Sequence, residues 1–125
     1  FLEQLLCSEN DITHMDLNDL PNLQTFYCNG NNMKTLQLYN LENLDFISCD
    51  ANDLTFLDLQ NMNSLGYVSL GGNHNLKMLD IRHSRNIENV IGTGPTWNAL
   101  LRTETLLPWR ENPLHGTALD ISRIY

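Results

Sequence analysis

The residues able to do chemistry in this chain are three cysteines, four histidines and a scatter of carboxylates, and their spacing separates reactivity from architecture. Cys7, Cys28 and Cys49 stand 21 residues apart. No CxxC pair and no Cys with a His at ligand spacing accompanies them, which weighs against zinc. His14, His74, His83 and His115 share no interval. No GxSxG, HExxH or phosphate-binding loop occurs, and GTG at 92–94 lacks the further glycines and the lysine of such a loop. GGNHN at 71–75 has the flavour of a glycine-rich calcium repeat but occurs once. Asp45, Asp50, Asp53 and Asp58 are close in sequence, yet most should fall on different faces of a turn. The expectation is a chain with no catalytic residue, no metal and no cofactor: not an enzyme.

The cysteine interval belongs to a longer pattern. Residues 2–22 (LEQLLCSENDITHMDLNDLPN), 23–43 (LQTFYCNGNNMKTLQLYNLEN) and 44–64 (LDFISCDANDLTFLDLQNMNS) repeat one another position by position. Numbering each unit from its first apolar residue, position 1 holds Leu2, Leu23, Leu44, Leu65 and Ile87. Position 4 holds Leu5, Phe26, Ile47, Val68 and Val90, and position 9 holds Asn10, Asn31, Asn52 and Asn73. Positions 11, 14, 16 and 19 are apolar, as in Met33, Leu36, Leu38 and Leu41. The fourth unit carries one extra residue within GGNHNL. A self-similarity this regular marks a stacked array.

Each half of a unit reads LxxLxL, which fits an extended segment with alternate residues inward and not the i, i+3, i+4, i+7 spacing of a helix. Every unit is thus one turn with a short strand near positions 3–7 and a second extended segment near 13–17. Stacking places equivalent residues roughly 4.8 Å apart. A disulfide wants Cβ atoms nearer about 3.8 Å. The cysteines therefore read as buried free thiols acting as small hydrophobes. The recurrent Asn reads as a turn residue that satisfies its own amide and exposed backbone groups together.

The motif LxxLxCxxNxLxxLxL resembles the leucine-rich repeat family, and its short 21-residue unit resembles an internalin-like bacterial subclass. The match runs over roughly residues 2–91. The resemblance implies a leucine-rich-repeat solenoid, mostly β, with parallel in-register strands on about four to five turns. It implies a protein partner bound on the exposed strand positions, and a secreted or cell-surface setting; the free thiols suit the cytoplasm as well. The paired Leu-Pro signatures of repeat proteins joined to ubiquitin ligases are missing.

The array is expected over 1–91, with an irregular cap over 92–125. WNALLRTETLL at 97–107 suits a short helix, with Trp97, Leu100 and Leu101 on one face and Pro108 as its stop. TALDIS at 117–122 resembles KMLDIR at 77–82, so Leu119 and Ile121 are candidates for a last strand. Trp97 and Trp109 are expected to be buried by the cap or to anchor a binding lobe.

Net charge of −8 disfavours nucleic acid and anionic membranes, and no run reaches the length of a membrane helix. It suits solubility, and more pointedly a basic partner. The outward positions 3, 5 and 7 of the first strands nominate Thr25, Tyr27, Asn29, Phe46, Ser48, Asp50, Tyr67 and Ser69 as the binding face, with the three rings forming one patch. The other reading of those residues is cross-strand packing. In the second segment Asp16, Gln37, Asp58 and Asp80 share position 15, where stacked acids repel. The chain opens already inside a repeat, which suggests a piece of a longer protein and end-to-end self-association through Leu2, Leu5 and Cys7. A spacer segment of a larger surface protein is the alternative to recognition, as is the recognition part of an effector whose activity lies elsewhere.

Overall fold

Three-residue strands follow directly from the LxxLxL halves, because a turn must close after two inward-facing side chains. The computed structural model describes residues 1–76, 78–81, 83–91 and 100–101. Strands β1 (Gln4–Leu6), β3 (Thr25–Tyr27), β5 (Phe46–Ser48), β7 (Tyr67–Ser69) and β9 (Asn89–Ile91) come from the first halves. The second halves supply β2 (His14–Asp16), β4 (Thr35–Gln37), β6 (Phe56–Asp58) and β8 (Met78–Asp80), and β10 (Leu100–Leu101) follows. The result is a parallel β-solenoid of about four turns, with no helix among the described residues.

On one side β1-β3-β5-β7-β9 form a continuous parallel sheet, in a register that pairs Leu5, Phe26, Ile47, Val68 and Val90 down one column. On the other side the strands split into β2-β4 and β6-β8-β10. Turns two and three therefore have no strand pairing between β4 and β6. The sequence offers no warning of this gap, since TLQL and FLDL obey the same pattern.

Leu100 and Leu101 correct the helix expectation. They pair in parallel with Met78 and Leu79 as β10. Three apolar residues within five cannot separate a helix from a strand, and the open edge of β8 rewards the strand with ladder hydrogen bonds. Trp97, Trp109, Leu119, Ile121 and the rest of 92–99 and 102–125 lie outside the described residues.

Between the two sides runs a column of fully enclosed apolar residues. Leu23, Leu44 and Leu65 occupy position 1, Phe26, Ile47 and Val68 position 4, and Cys28, Cys49 and Leu70 position 6, all without solvent contact. Met33, Leu54, Leu57, Leu59 and Leu79 fill the second half. Position 19 switches from Leu41 and Met62 to a buried Ser84. Its hydroxyl donates to the Leu59 carbonyl and accepts from the Met62 amide at 2.7 Å, so the polar atom is matched.

Two residues per turn take the left-handed conformation. Position 8 does so at Glu9, Gly30, Ala51 and Gly72, and position 18 at Asp19, Asn40, Asn61 and His83. Gly, Asn, Asp and His are the residues that visit this region most readily. Glu9 and Ala51 occupy it without that advantage, held there by the repeating bonds on either side. GGNHN is explained the same way: Gly72 turns the chain at φ +73 and Asn73 continues the asparagine column.

Each buried Asn ties two turns together. The Asn31 amide donates to the carbonyls of Cys7 (3.0 Å) and Cys28 (2.9 Å), and its oxygen accepts from the Ile12 amide at 3.1 Å. Asn52 repeats this with Cys28 (2.9 Å), Cys49 (3.2 Å) and Met33 (3.0 Å). Asn73 repeats it with Cys49 (2.8 Å), Leu70 (3.0 Å) and Leu54 (3.2 Å). Asn10 bonds only within its own turn, to Cys7 and Ser8, and is exposed.

Asn52→Ala strands the buried Met33 amide and takes one of two side-chain donors from the Cys28 and Cys49 carbonyls, which keep Asn31 and Asn73, and is expected to cost about 2 kcal/mol. Asn10→Ala should cost less than about 1 kcal/mol, because water replaces its bonds. Urea unfolding of the two variants checks the contrast; equal losses would contradict it.

Candidate interaction surface

Register decides which nominated residues meet. Thr25, Phe46 and Tyr67 share one column, and Tyr27, Ser48 and Ser69 the next. The three rings nevertheless touch: Phe46 stands directly opposite Tyr67 and diagonal to Tyr27. Tyr27 and Phe46 lie 4.9 Å apart, centroid to centroid, tilted by 37°, and Phe46 and Tyr67 lie 4.7 Å apart and nearly parallel at 4°. Phe46 sits on the strand between its two neighbours, and its ring packs against both. All three are half-buried, as is Thr25.

Leu6 pairs with Tyr27 in the next strand and is 67% exposed. It extends the row to a fourth turn. Its place at outward position 5 of the repeat agrees with this exposure.

The polar nominees have a different occupation. Ser48 and Ser69 are only 5% and 8% exposed. The Ser48 hydroxyl donates to Asn29 Oδ1 at 2.9 Å, which also accepts from the Asp50 amide at 2.8 Å. One turn on, the Ser69 hydroxyl and the Gly71 amide donate to Asp50 Oδ1 at 2.7 and 2.8 Å. One turn back, the Asn29 amide donates to Ser8 Oγ at 3.0 Å. Ser48, Ser69, Asn29 and Asp50 thus form a second cross-turn column that braces the sheet. The nominees not engaged in these bonds are Thr25 and the rings Tyr27, Phe46 and Tyr67, which continue the row begun by Leu6.

The acidic column resolves into separate tasks. Asp16 and Asp58 each accept the backbone amide two residues on, from Asn18 and Gln60, both at 2.9 Å, ahead of the left-handed turns at 19 and 61. Gln37 and the gap beside β4 separate Asp16 from Asp58, leaving Asp58 and the buried Asp80 as strand neighbours. His14, His74 and His83 are exposed. Among the described residues no three His, Cys, Asp or Glu side chains converge as metal ligands, and no helix is long and apolar enough to cross a membrane.

The cysteines are free thiols, Cys28 and Cys49 buried and Cys7 partly so. Cys7 Sγ donates to the Tyr27 carbonyl at 3.4 Å. Burial pushes the Cys49 thiol well above its usual range, aided by the neighbouring Cys28 sulfur and the Asp50 charge. Burial, then Cys28, also raises Cys7. Both shifts favour the protonated thiol over the thiolate at Cys7 and Cys49.

Comparison of the chain with family models, curated proteins and solved structures yields no match.

Raised thiols hold their protons more tightly folded than unfolded, so the stability they contribute is complete below the unfolded thiol range and is lost as pH rises through the folded values. Unfolding free energy should therefore decline above about pH 8.5. Cys49→Ala should flatten that decline in urea titrations at stepped pH; an unchanged slope would contradict the assignment.

Proposed function

We propose that this chain is a non-enzymatic recognition module of the leucine-rich repeat kind, and that it binds a protein partner on the sheet formed by β1, β3, β5, β7 and β9. The observation that carries the reading is the apolar row Leu6, Tyr27, Phe46 and Tyr67, held in fixed register across four turns of a continuous ladder. A rigid sheet presents such a row with little ordering cost on binding, and aromatic residues are favoured interface anchors. The 21-residue motif supports placing the parent protein among bacterial secreted or surface proteins, or effectors whose activity resides in other segments.

A spacer or scaffold role is the second reading. It is favoured by the way Phe46 meets both neighbouring rings while the adjacent polar residues bond one another.

The two readings part in a pull-down from native or host extract with the chain and its Tyr27→Ala/Phe46→Ala/Tyr67→Ala variant. Each cross-strand ring pair contributes roughly 0.2–1 kcal/mol, so the variant should keep its circular dichroism spectrum with a modestly lower Tm. Recognition predicts a partner that the folded variant no longer captures. No partner for either protein favours the spacer, and a partner retained by the folded variant moves recognition off this sheet to another face of the chain.

A further inference from the structure

The gap on the second side is chemically specific. Turns one and two are joined there by Leu17 N to Gln37 O (3.1 Å), Asp19 N to Tyr39 O (3.3 Å) and Lys34 N to Thr13 O (3.0 Å). Turns three and four are joined by Leu59 N to Asp80 O at 2.7 Å and the β6–β8 ladder. Between turns two and three the equivalent donors are the amides of Leu38, Asn40 and Thr55, and the equivalent acceptors are the carbonyls of Asp58, Gln60 and Lys34. Among the described residues none of these bonds forms. The opening is bounded at either end by Asp53 N to Met33 O (2.9 Å) and Ser64 Oγ to Glu42 O (2.6 Å).

Two cavities follow this opening and meet at Leu38 and Tyr39. The smaller, about 170 Å³, is lined by Lys34, Gln37, Tyr39, Phe56 and Asp58 among others. The larger is an open groove of about 610 Å³ along Asn40, Glu42, Gln60 and Asn61. Tyr39 and Phe56 are 53% and 40% exposed, so the smaller slot has two rings and a half-buried carboxylate around it.

We propose that this slot between turns two and three receives an arginine side chain of a protein partner. The slot is lined by the main-chain carbonyls of Lys34 and Asp58 and by the Leu38 and Thr55 amides, so its backbone is balanced; what selects a cationic, donor-rich ligand is the Asp58 carboxylate between two exposed rings, with the two carbonyls as further acceptors. A guanidinium is planar, carries five donors and bridges a carboxylate and carbonyls in one fork; an ammonium is a single point charge. Exposed rings beside it add cation–π attraction, again strongest for arginine. The slot is too small for a folded segment and suits one side chain. Net charge of −8 draws a basic partner toward it. Lys34 is the one opposing charge in the lining, and its exposed, flexible stem carries the ammonium out to solvent. This site is independent of the aromatic row on the opposite sheet, so neither proposal falls with the other.

The probe is acetyl-Gly-Arg-Gly-amide, titrated into ¹⁵N-labelled protein beside the same tripeptide carrying lysine, citrulline or glutamate. The arginine peptide should shift the amides of 34–40 and 55–60 saturably, lysine less, and citrulline and glutamate not at all. Asp58→Asn keeps an oxygen for the Gln60 amide, so its fold should hold, and it should weaken arginine binding at least tenfold. Phe56→Leu should weaken it severalfold, and Lys34→Gln should strengthen it. Equal binding of citrulline and arginine, shifts confined to other residues, an unaltered titration in folded Asp58→Asn, or no shift at the peptide's solubility limit would each overturn the proposal.

Discussion

A carboxamide enclosed in an apolar column must have its oxygen and its nitrogen paired at once, and in this chain the pairing is possible only between successive turns. Asn31, Asn52 and Asn73 each accept from the amide of position 11 in the turn before and donate to the position-6 carbonyls of that turn and their own. The bond set closes only when the turns are parallel, in register and of equal rise. Strand pairing follows from it, as does the vertical alignment of Leu23, Leu44 and Leu65 and of Phe26, Ile47 and Val68. The left-handed residues just before each Asn aim the side chain back into the column.

That alignment has consequences for the surface. A lattice of identical turns sets whatever stands at positions 3 and 5 into rows, which brings Leu6, Tyr27, Phe46 and Tyr67 together. It equally draws polar neighbours into mutual bonds. Asn29 and Asp50 are spent bracing the next turn, and Ser48 and Ser69 are buried in doing so. The second side is less continuous, although TLQL and FLDL obey the same pattern. Its ladder lapses between β4 and β6 and leaves a slot lined by Tyr39, Phe56 and Asp58. One side of the solenoid is thus a stiff display and the other has a specific opening.

Much of this was legible in the residues. The interval shared by Cys7, Cys28 and Cys49 with Asn10, Asn31 and Asn52 announces stacked turns, and the LxxLxL halves identify the inward positions. Buried free thiols and a backbone-bonded Asn column follow from spacing and valence, and the structure has both. Other features escaped for physical reasons. The left-handed column Asp19, Asn40, Asn61 and His83 is hidden by its mixed composition, and the column Glu9, Gly30, Ala51 and Gly72 even more so. The bracing role of Asn29 and Asp50 depends on side-chain reach across turns, which strand alternation does not encode. Leu100 and Leu101 follow the partner available at β8 instead of local helical spacing. The gap at β4 is a property of two turns together, so no single unit contains it.

The most direct measurement is hydrogen exchange at the asparagine side-chain amides, resolved by NMR on ¹⁵N-labelled protein. The Nδ2 protons of Asn31, Asn52 and Asn73 should exchange slowly, while those of Asn10 should exchange at nearly the solvent-exposed rate. If Asn52 exchanged as fast as Asn10 in the folded protein, the buried cross-turn carboxamide would not hold the turns together, and the central claim would be wrong.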